Sequence, residues 1–251
     1  IADNSQSIPS CAQRQKHIQK YLKDSSQNLL QKVLTKKGKP SLTPSIIRTI
    51  DPAGGGFYVE AGLKNKQLNL TFDDGPSPHT TPELLDVLKQ YEVLVNFFVV
   101  GTQIKSHPQI SQQAEMDGHI IGNHSWSHQD LSKISTRKAL DDIEKTFFEI
   151  QTHTQRFNPF FRFPYGAAKK AHRRALANND IPEFFWNIDT LDWKYTDPEQ
   201  LFDYVLEQIQ QKQNGIVLFH DIQPQTIAIM PAVIEQLNHW GYQTVQFVPE
   251  K

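Results

Sequence analysis

The sequence predicts an α/β protein built on a parallel sheet, open or closed into a barrel, and two observations carry that prediction. From about residue 57 onward, short β-branched and aromatic runs alternate with longer amphipathic stretches, the pattern of repeated strand–helix units. The polar residues able to do chemistry fall just after the strand signals, at 73–74, 124–128, 162, 189–192 and 220. In a parallel α/β fold the carboxyl ends of the strands meet at one face, so segments far apart in the chain converge there.

The elements follow in order. Residues 10–37 are rich in Gln, Lys and Ser and place Ile18, Leu22, Leu29 and Val33 at helical spacing, until Gly38 and Pro40 end the pattern. This predicts an amphipathic helix packed on the main domain. Residues 38–56 hold Pro40, Pro44, Pro52 and Gly54-Gly55-Gly56, a loop-rich connector with a short strand at 46–50. Strands are predicted at 67–72, 93–99, 119–122, 159–163, 184–188, 215–219 and 243–247. Helices are predicted between them at 81–90, 102–117, 135–152, 168–178, 198–212 and 225–240, the fifth opened by Asp197 before Pro198. The chain divides at residue 57, into an N-terminal helical and loop extension, 1–56, and a catalytic domain, 57–251.

Composition narrows the function classes. A chain of 251 residues with 38% hydrophobic content can bury a substantial core. Its 26 Lys and Arg against 27 Asp and Glu leave a formal charge of −1, so no global field draws in nucleic acid or anionic lipid. The longest apolar run, Val93 to Val100, is interrupted by Asn96 and falls far short of the roughly 20 residues that span a bilayer. Cys11 is the single cysteine, which excludes an internal disulfide and a Cys-based zinc site, so any metal falls to His and carboxylate. The start at Ile1 rather than Met suggests that an upstream segment has been removed.

Residues 70–76 read Leu-Thr-Phe-Asp-Asp-Gly-Pro. A solvated turn after a strand would explain them alone, since Asp, Gly and Pro are common turn residues. Adjacent side chains on an extended chain point to opposite sides, however, so Asp73 and Asp74 can serve different partners. His124 and His128 share a face if the segment is helical and can also converge from a loop. With Asp74 as third ligand they form a His-His-Asp set of the kind that holds a catalytic divalent ion and leaves positions open for water and substrate. Such an ion lowers the pKa of bound water to about 7 and polarises a carbonyl, which points to amide or ester hydrolysis. Asp73 and His220 are the candidates for the base and the acid that hydrolysis still needs. Arg162 is placed to orient Asp73, and Asp192 to orient His220 and raise its pKa. Tyr165, Trp193, Trp126 and Tyr195 offer flat apolar walls suited to sugar rings.

Five segments, Thr71-Phe-Asp-Asp-Gly-Pro76, His124-Ser-Trp-Ser-His128, Arg162-Phe-Pro-Tyr-Gly166, Asp189-Thr-Leu-Asp-Trp193 and Leu218-Phe-His220, resemble in order and spacing the five motifs of the carbohydrate esterase family 4 polysaccharide deacetylases, which share the NodB homology domain. The resemblance covers about residues 67–248 and implies a distorted (β/α) barrel, usually of seven strands. It implies metal-dependent removal of N-acetyl groups from an N-acetylglucosamine polysaccharide of the peptidoglycan, chitin or poly-N-acetylglucosamine type. Carried over by position, it makes Asp73 the base, His220 the acid, and Asp74, His124 and His128 the ligands of one divalent ion, zinc first, with cobalt or nickel as alternatives. Arg162 would pair with the base, Asp192 would tune His220, and the backbone N–H of Tyr165 would help hold the oxyanion. Trp193 and Leu218 would line the pocket of the acetyl methyl. An acetylated polysaccharide or oligosaccharide is then the expected partner, and the substrate class together with the missing Met implies a periplasmic or secreted location. Residues 1–56 match no motif of that family.

Three rivals remain at this point. Non-haem iron oxygenases also use two His and one carboxylate, but usually on all-β folds that the strand–helix alternation disfavours. A sugar-binding homologue that had lost its chemistry should lack a ligand, base or acid, and none is missing here. An O-acetyl esterase acting on acetylated xylan would carry the same motifs.

Overall fold

The computed structural model describes residues 11–37 and 43–250; Gly38 and Pro40, which the sequence marks as the stop of the first helix, lie outside them. Helix α1 (Cys11–Lys37) is followed by β1 (Ile46–Ile50), β2 (Phe57–Tyr58), β3 (Gln67–Asp73), α2 (Thr81–Gln90) and β4 (Asn96–Val99). Then come α3 (Gly101–Ser106), α4 (Pro108–Met116), β5 (Ile120–Asn123), α5 (Thr136–His153), α6 (Lys170–Asn178) and β6 (Glu183–Phe184). The chain closes with β7 (Ile188–Asp189), α7 (Pro198–Lys212), β8 (Gly215–His220), α8 (Pro224–His239) and β9 (Gln243–Pro249).

All described strand pairings are parallel. Strand β3 lies between β8 and β4, β5 flanks β4, and β7 flanks β8. Strand β9 touches only the first residues of β3 and carries β1 along its other edge. Isolated parallel bridges run on from Asn123 to Phe161 and from Phe161 to Glu183, and β6 pairs with β2.

Strand β3 explains how polar residues come to lie inside. Leu68, Leu70 and Phe72 join the core shared with α2, α7 and α8. The alternate residues Asn69, Thr71 and Asp73 are buried too, on the opposite face, as parallel strands covered on both sides require. Buried polar groups need partners. Asn69 Nδ2 donates to Asn96 Oδ1 and to the Val245 carbonyl, each at 2.8 Å, and Asn96 Nδ2 donates to the Phe247 carbonyl at 2.8 Å. These amides tie β9 to β3 and β4 beyond Leu68, where the β3–β9 ladder ends.

Several sequence expectations change in detail. The helix expected over 102–117 is two, α3 and α4, because Pro108 disfavours helical backbone at His107, which sits at φ −135. The strand expected at 159–163 contributes only the Phe161 bridges. That at 184–188 is split into β6 and β7, because the chain leaves β2 and Phe161 for β8. Strand β4 begins at Asn96 rather than at 93. Leu29 and Val33 of α1 are buried in the main core, whereas Ile18 is 57% exposed, so only the later turns of that helix pack.

Candidate active site

The two neighbouring aspartates part company at the end of β3. Asp73, still in the strand, points to the same buried face as Thr71. Arg162 Nη1 donates to Asp73 Oδ1 at 2.6 Å and to Thr71 Oγ1 at 2.8 Å, while Nη2 donates to the Phe185 carbonyl at 3.1 Å. The guanidinium lies 4.2 Å from the centre of the Phe98 ring and is fully buried. Removing one partner of such a pair typically costs about 3–5 kcal/mol, because the other charge is left buried alone. Asp74 adopts φ +77, which ends the strand and turns the second carboxyl away from Arg162. Its Oδ1 lies 3.2 Å from His128 Nε2 and 3.5 Å from His124 Nε2.

Both imidazoles stand on the loop that leaves β5, not on a helix. Ser125 at φ +69 and His128 at φ +57 fold that loop back so that the rings approach, with centroids 5.0 Å apart. His124 Nδ1 is 2.8 Å from the Arg162 carbonyl. A carbonyl only accepts, so Nδ1 carries the proton and Nε2 keeps a free lone pair. Burial holds the His124 pKa below its ordinary value, against the pull of Asp73 and Asp74, which leaves the ring neutral. The ligand-type atoms of Asp74, His124 and His128 all lie within 4.8 Å of one another. Asp74 Oδ1 is buried, and no hydrogen-bond donor among the described residues reaches it. An orphaned carboxylate oxygen facing imidazole nitrogens is a donor set that fits a divalent cation.

His220 ends β8 directly beside Asp73, its register partner on β3. Asp192, fully buried, accepts from His220 Nδ1 through Oδ1 at 2.6 Å. Its Oδ2 accepts from the His220 backbone N–H at 2.7 Å and from the Thr226 hydroxyl at 2.6 Å. Burial draws the His220 pKa down, but the hydrogen bond and charge of Asp192, with Asp73 and Asp74 behind them, outweigh it and push it up to about 9. Next in the chain, Asp221 is buried, receives the Thr81 hydroxyl at 2.6 Å, and is pushed by its burial up to about 7. A Cβ at Gly75 would collide with the buried carboxylate of Asp221, so the Asp-Asp-Gly turn needs glycine there.

Around these groups, Tyr165 is 67% exposed at φ +60 and packs edge-on against His128, with centroids 4.7 Å apart. Trp193 is 58% exposed, and Leu218 is buried in β8. One face of Trp126 is covered by Lys145 Nζ, 3.6 Å from the ring centre, and Tyr195 packs tilted against Tyr204, with centroids 4.9 Å apart. A groove lined by Gln129, Asp130, Lys133, Ile134 and Tyr165 opens alongside.

Sequence reasoning missed Asp142, Thr226 and Asp221. Asp142, on α5, reads as one more polar residue of an amphipathic helix, yet it accepts from Trp126 N and Gln129 Nε2 in the histidine loop. Thr226 sits in the first turn of α8, where a threonine is unremarkable by pattern. Asp221 alone left a signal, an acid directly after the strand-end histidine.

Comparison with known proteins supplies independent information. Residues 61–184 match the family described as polysaccharide deacetylase. The chain is 36% identical over 187 residues to the peptidoglycan-N-acetylglucosamine deacetylase PgdA of Listeria monocytogenes, a match covering 74% of this chain and 39% of that protein. It therefore spans well under half of that relative's length. It is 30% identical over 192 residues to a peptidoglycan-N-acetylglucosamine deacetylase of Bacillus cereus, covering 72% of this chain and 69% of that one. Among solved structures, the Bdellovibrio bacteriovorus peptidoglycan deacetylase Bd3279 superposes with a TM-score of 0.84 at 26% identity, over 97% of this chain and 72% of that one. The family match includes Asp73, Asp74, His124, His128 and Arg162 but ends before Asp192 and His220.

Proposed function

The chain belongs to the polysaccharide deacetylase family, and from that premise we propose that it hydrolyses N-acetyl groups of an N-acetylglucosamine-containing polysaccharide, with the glycan strand of peptidoglycan first among the polymers. The observation that carries the proposal is the division at Asp73 and Asp74. One carboxylate is locked through one oxygen to Arg162 beside His220, its other oxygen 3.5 Å from His124 Nε2; its neighbour is turned, without a hydrogen-bond donor among the described residues, toward both imidazoles.

Asp74, His124 and His128 would hold one divalent ion, zinc by preference for a His-His-carboxylate set. When bound, that ion supplies a more acidic water and a polarised acetyl carbonyl. Asp73, oriented by Arg162, takes the proton of the attacking water as the new C–O bond forms. The backbone N–H of Tyr165 assists the oxyanion. His220, held protonated by Asp192, delivers its proton to the sugar nitrogen as the C–N bond breaks, releasing acetate and a free amine. Trp193, Tyr165 and Leu218 seat the sugar and the acetyl methyl. Residues 57–251 form the catalytic unit, with 1–56 as an extension outside its chemistry, and the substrate class sets the site of action outside the cytoplasm. No helix among the described residues is long and apolar enough to cross a membrane.

Acetate release tests the proposal on peptidoglycan, a chitooligosaccharide, poly-N-acetylglucosamine and acetylxylan, each with chelator and with zinc returned. Release from the N-acetyl polymers, abolished by chelation and restored by zinc, is the expected result. Release from acetylxylan alone, or undiminished release after chelation, overturns it.

A further inference from the structure

We propose that Asp142 is a positioning residue for the metal site: through its two hydrogen bonds to the His124–His128 loop, it presets the distance between the ligand imidazoles. The inference rests on the reading of Asp74, His124 and His128 as the ligand set.

The loop between the two histidines has one tie of its own, His128 N donating to Ser125 Oγ at 3.0 Å, and is otherwise held from outside. It is neither helix nor strand, and it passes through positive φ at Ser125 and at His128, conformations that non-glycine residues avoid unless their surroundings impose them. Its carbonyls are fixed from one side, where Gly101 N donates to the Ser125 carbonyl and Thr102 N to the Trp126 carbonyl, each at 2.9 Å. The N–H of Trp126, midway between the ligands, points the other way. Asp142 Oδ1 accepts it at 2.7 Å, and Oδ2 accepts Gln129 Nε2, one residue past His128, at 2.9 Å. One buried carboxylate thus spans the second half of the loop and grips it on both sides of His128.

The same face of α5 adds a second hold. One helical turn on, Lys145 Nζ lies 3.6 Å from the centre of the Trp126 ring, a close cation–π contact. Asp142 touches neither ligand ring nor any substrate position described above, so its effect must pass through loop geometry. Outer-shell groups that orient metal ligands commonly change metal affinity by about 10–100-fold when removed.

The test is zinc affinity, measured by competition with a chromophoric chelator on the folded protein, alongside the thermal stability of the metal-free form. Asp142→Ala should weaken zinc binding by about tenfold or more. Asp142→Asn should keep most of the affinity, because its Oδ1 still accepts from Trp126 N–H and the Gln129 amide can turn. A merely structural role would lower metal-free stability and leave the affinity of the folded fraction unchanged; that result for Asp142→Ala overturns the proposal. Should Asp142→Ala not fold, Gln129→Ala decides, since it removes one arm from an exposed side chain. A loss of about two- to tenfold supports the proposal and no loss overturns it. Failure of the unaltered chain to bind zinc would instead strike at the ligand assignment.

Discussion

The two sides of the site use the same residue type in opposite ways. Around Asp192 both carboxylate oxygens have donors, from the His220 ring, the His220 backbone and the Thr226 hydroxyl. Around Asp74 the inner oxygen, Oδ1, has none. Both aspartates lie beside an imidazole, so the difference is in the donors supplied and not in the neighbours. A carboxylate with donors on both oxygens fixes a proton on its histidine; one left short of donors beside two imidazoles makes room for a cation. Asp73 sits between the two and is claimed by Arg162.

Substitutions can break this contrast, and the metal side should give the largest effect. Asp74→Ala is expected to lose bound zinc and to drop deacetylation to background, read by metal analysis and acetate release on one sample. Zinc retained in full would move the ligand role elsewhere. Asp73→Asn should separate the two sides: the metal stays, and the rate on an N-acetyl sugar falls by about 10²–10⁴-fold. If that variant loses zinc while Asp74→Asn keeps it, the two carboxylates have been assigned the wrong way round.

The acid side should respond to the leaving group. An amine departs only with a proton, whereas an aryl acetate leaves without one, so His220→Ala should cost about 10²–10⁴-fold on a chitooligosaccharide and clearly less on an aryl acetate. Equal losses on the two would remove His220 from the acid role. The smallest and sharpest effect is in pH. His220 acts only when protonated, so the rate of the zinc-loaded enzyme should fall as pH rises toward the value of about 9 that His220 has without metal. A bound dication opposes the Asp73 and Asp74 charges and brings that limb lower. Asp192→Asn should lower the limb further, and an unmoved limb would break the proposed coupling. The linkage sign agrees: with a folded value raised above the ordinary 6.5, His220 stabilises the fold fully below pH 6.5 and loses that contribution as pH rises through 9. The pH-dependent part of the stability deficit of Asp192→Asn should therefore be full just below pH 6.5 and disappear above pH 9.

Much of this was legible in the sequence, for identifiable reasons. Strand β3 and helix α7 carry strong local signals, a continuous buried run and an Asp197 cap that accepts from Gln200 N at 2.9 Å, and the structure places both where the pattern predicts them. Asp73, Asp74, His124, His128, Arg162, Asp192 and His220 could be proposed because each stands at or just after the end of a strand signal. What stayed hidden depends on contacts between distant segments. Phe161 belongs to the sheet through single bridges, too short to leave a strand period. Asp142 looks solvated until α5 is laid beside the histidine loop, 13 and 16 residues away in sequence. The break at His107 was available from Pro108 alone, and the apolar period on both sides of it concealed the stop.

The pairing of β1 with β9 carries a consequence for how the protein is made. Among the described strands β1 has no other neighbour, and α1 lies chiefly against α8. During synthesis, therefore, α1 and β1 lack their main partners, α8 and β9, until those later segments leave the ribosome. The β3–β4–β5 ladder can assemble from the emerging chain, while the amino-terminal segment waits as an unpaired strand and an uncovered helix face. Contacts of such long sequence separation are slow to form and leave apolar surface open meanwhile. A ribosome stalled short of residue 243 would hold a chain in which β3 is complete but β1 still lacks its partner strand.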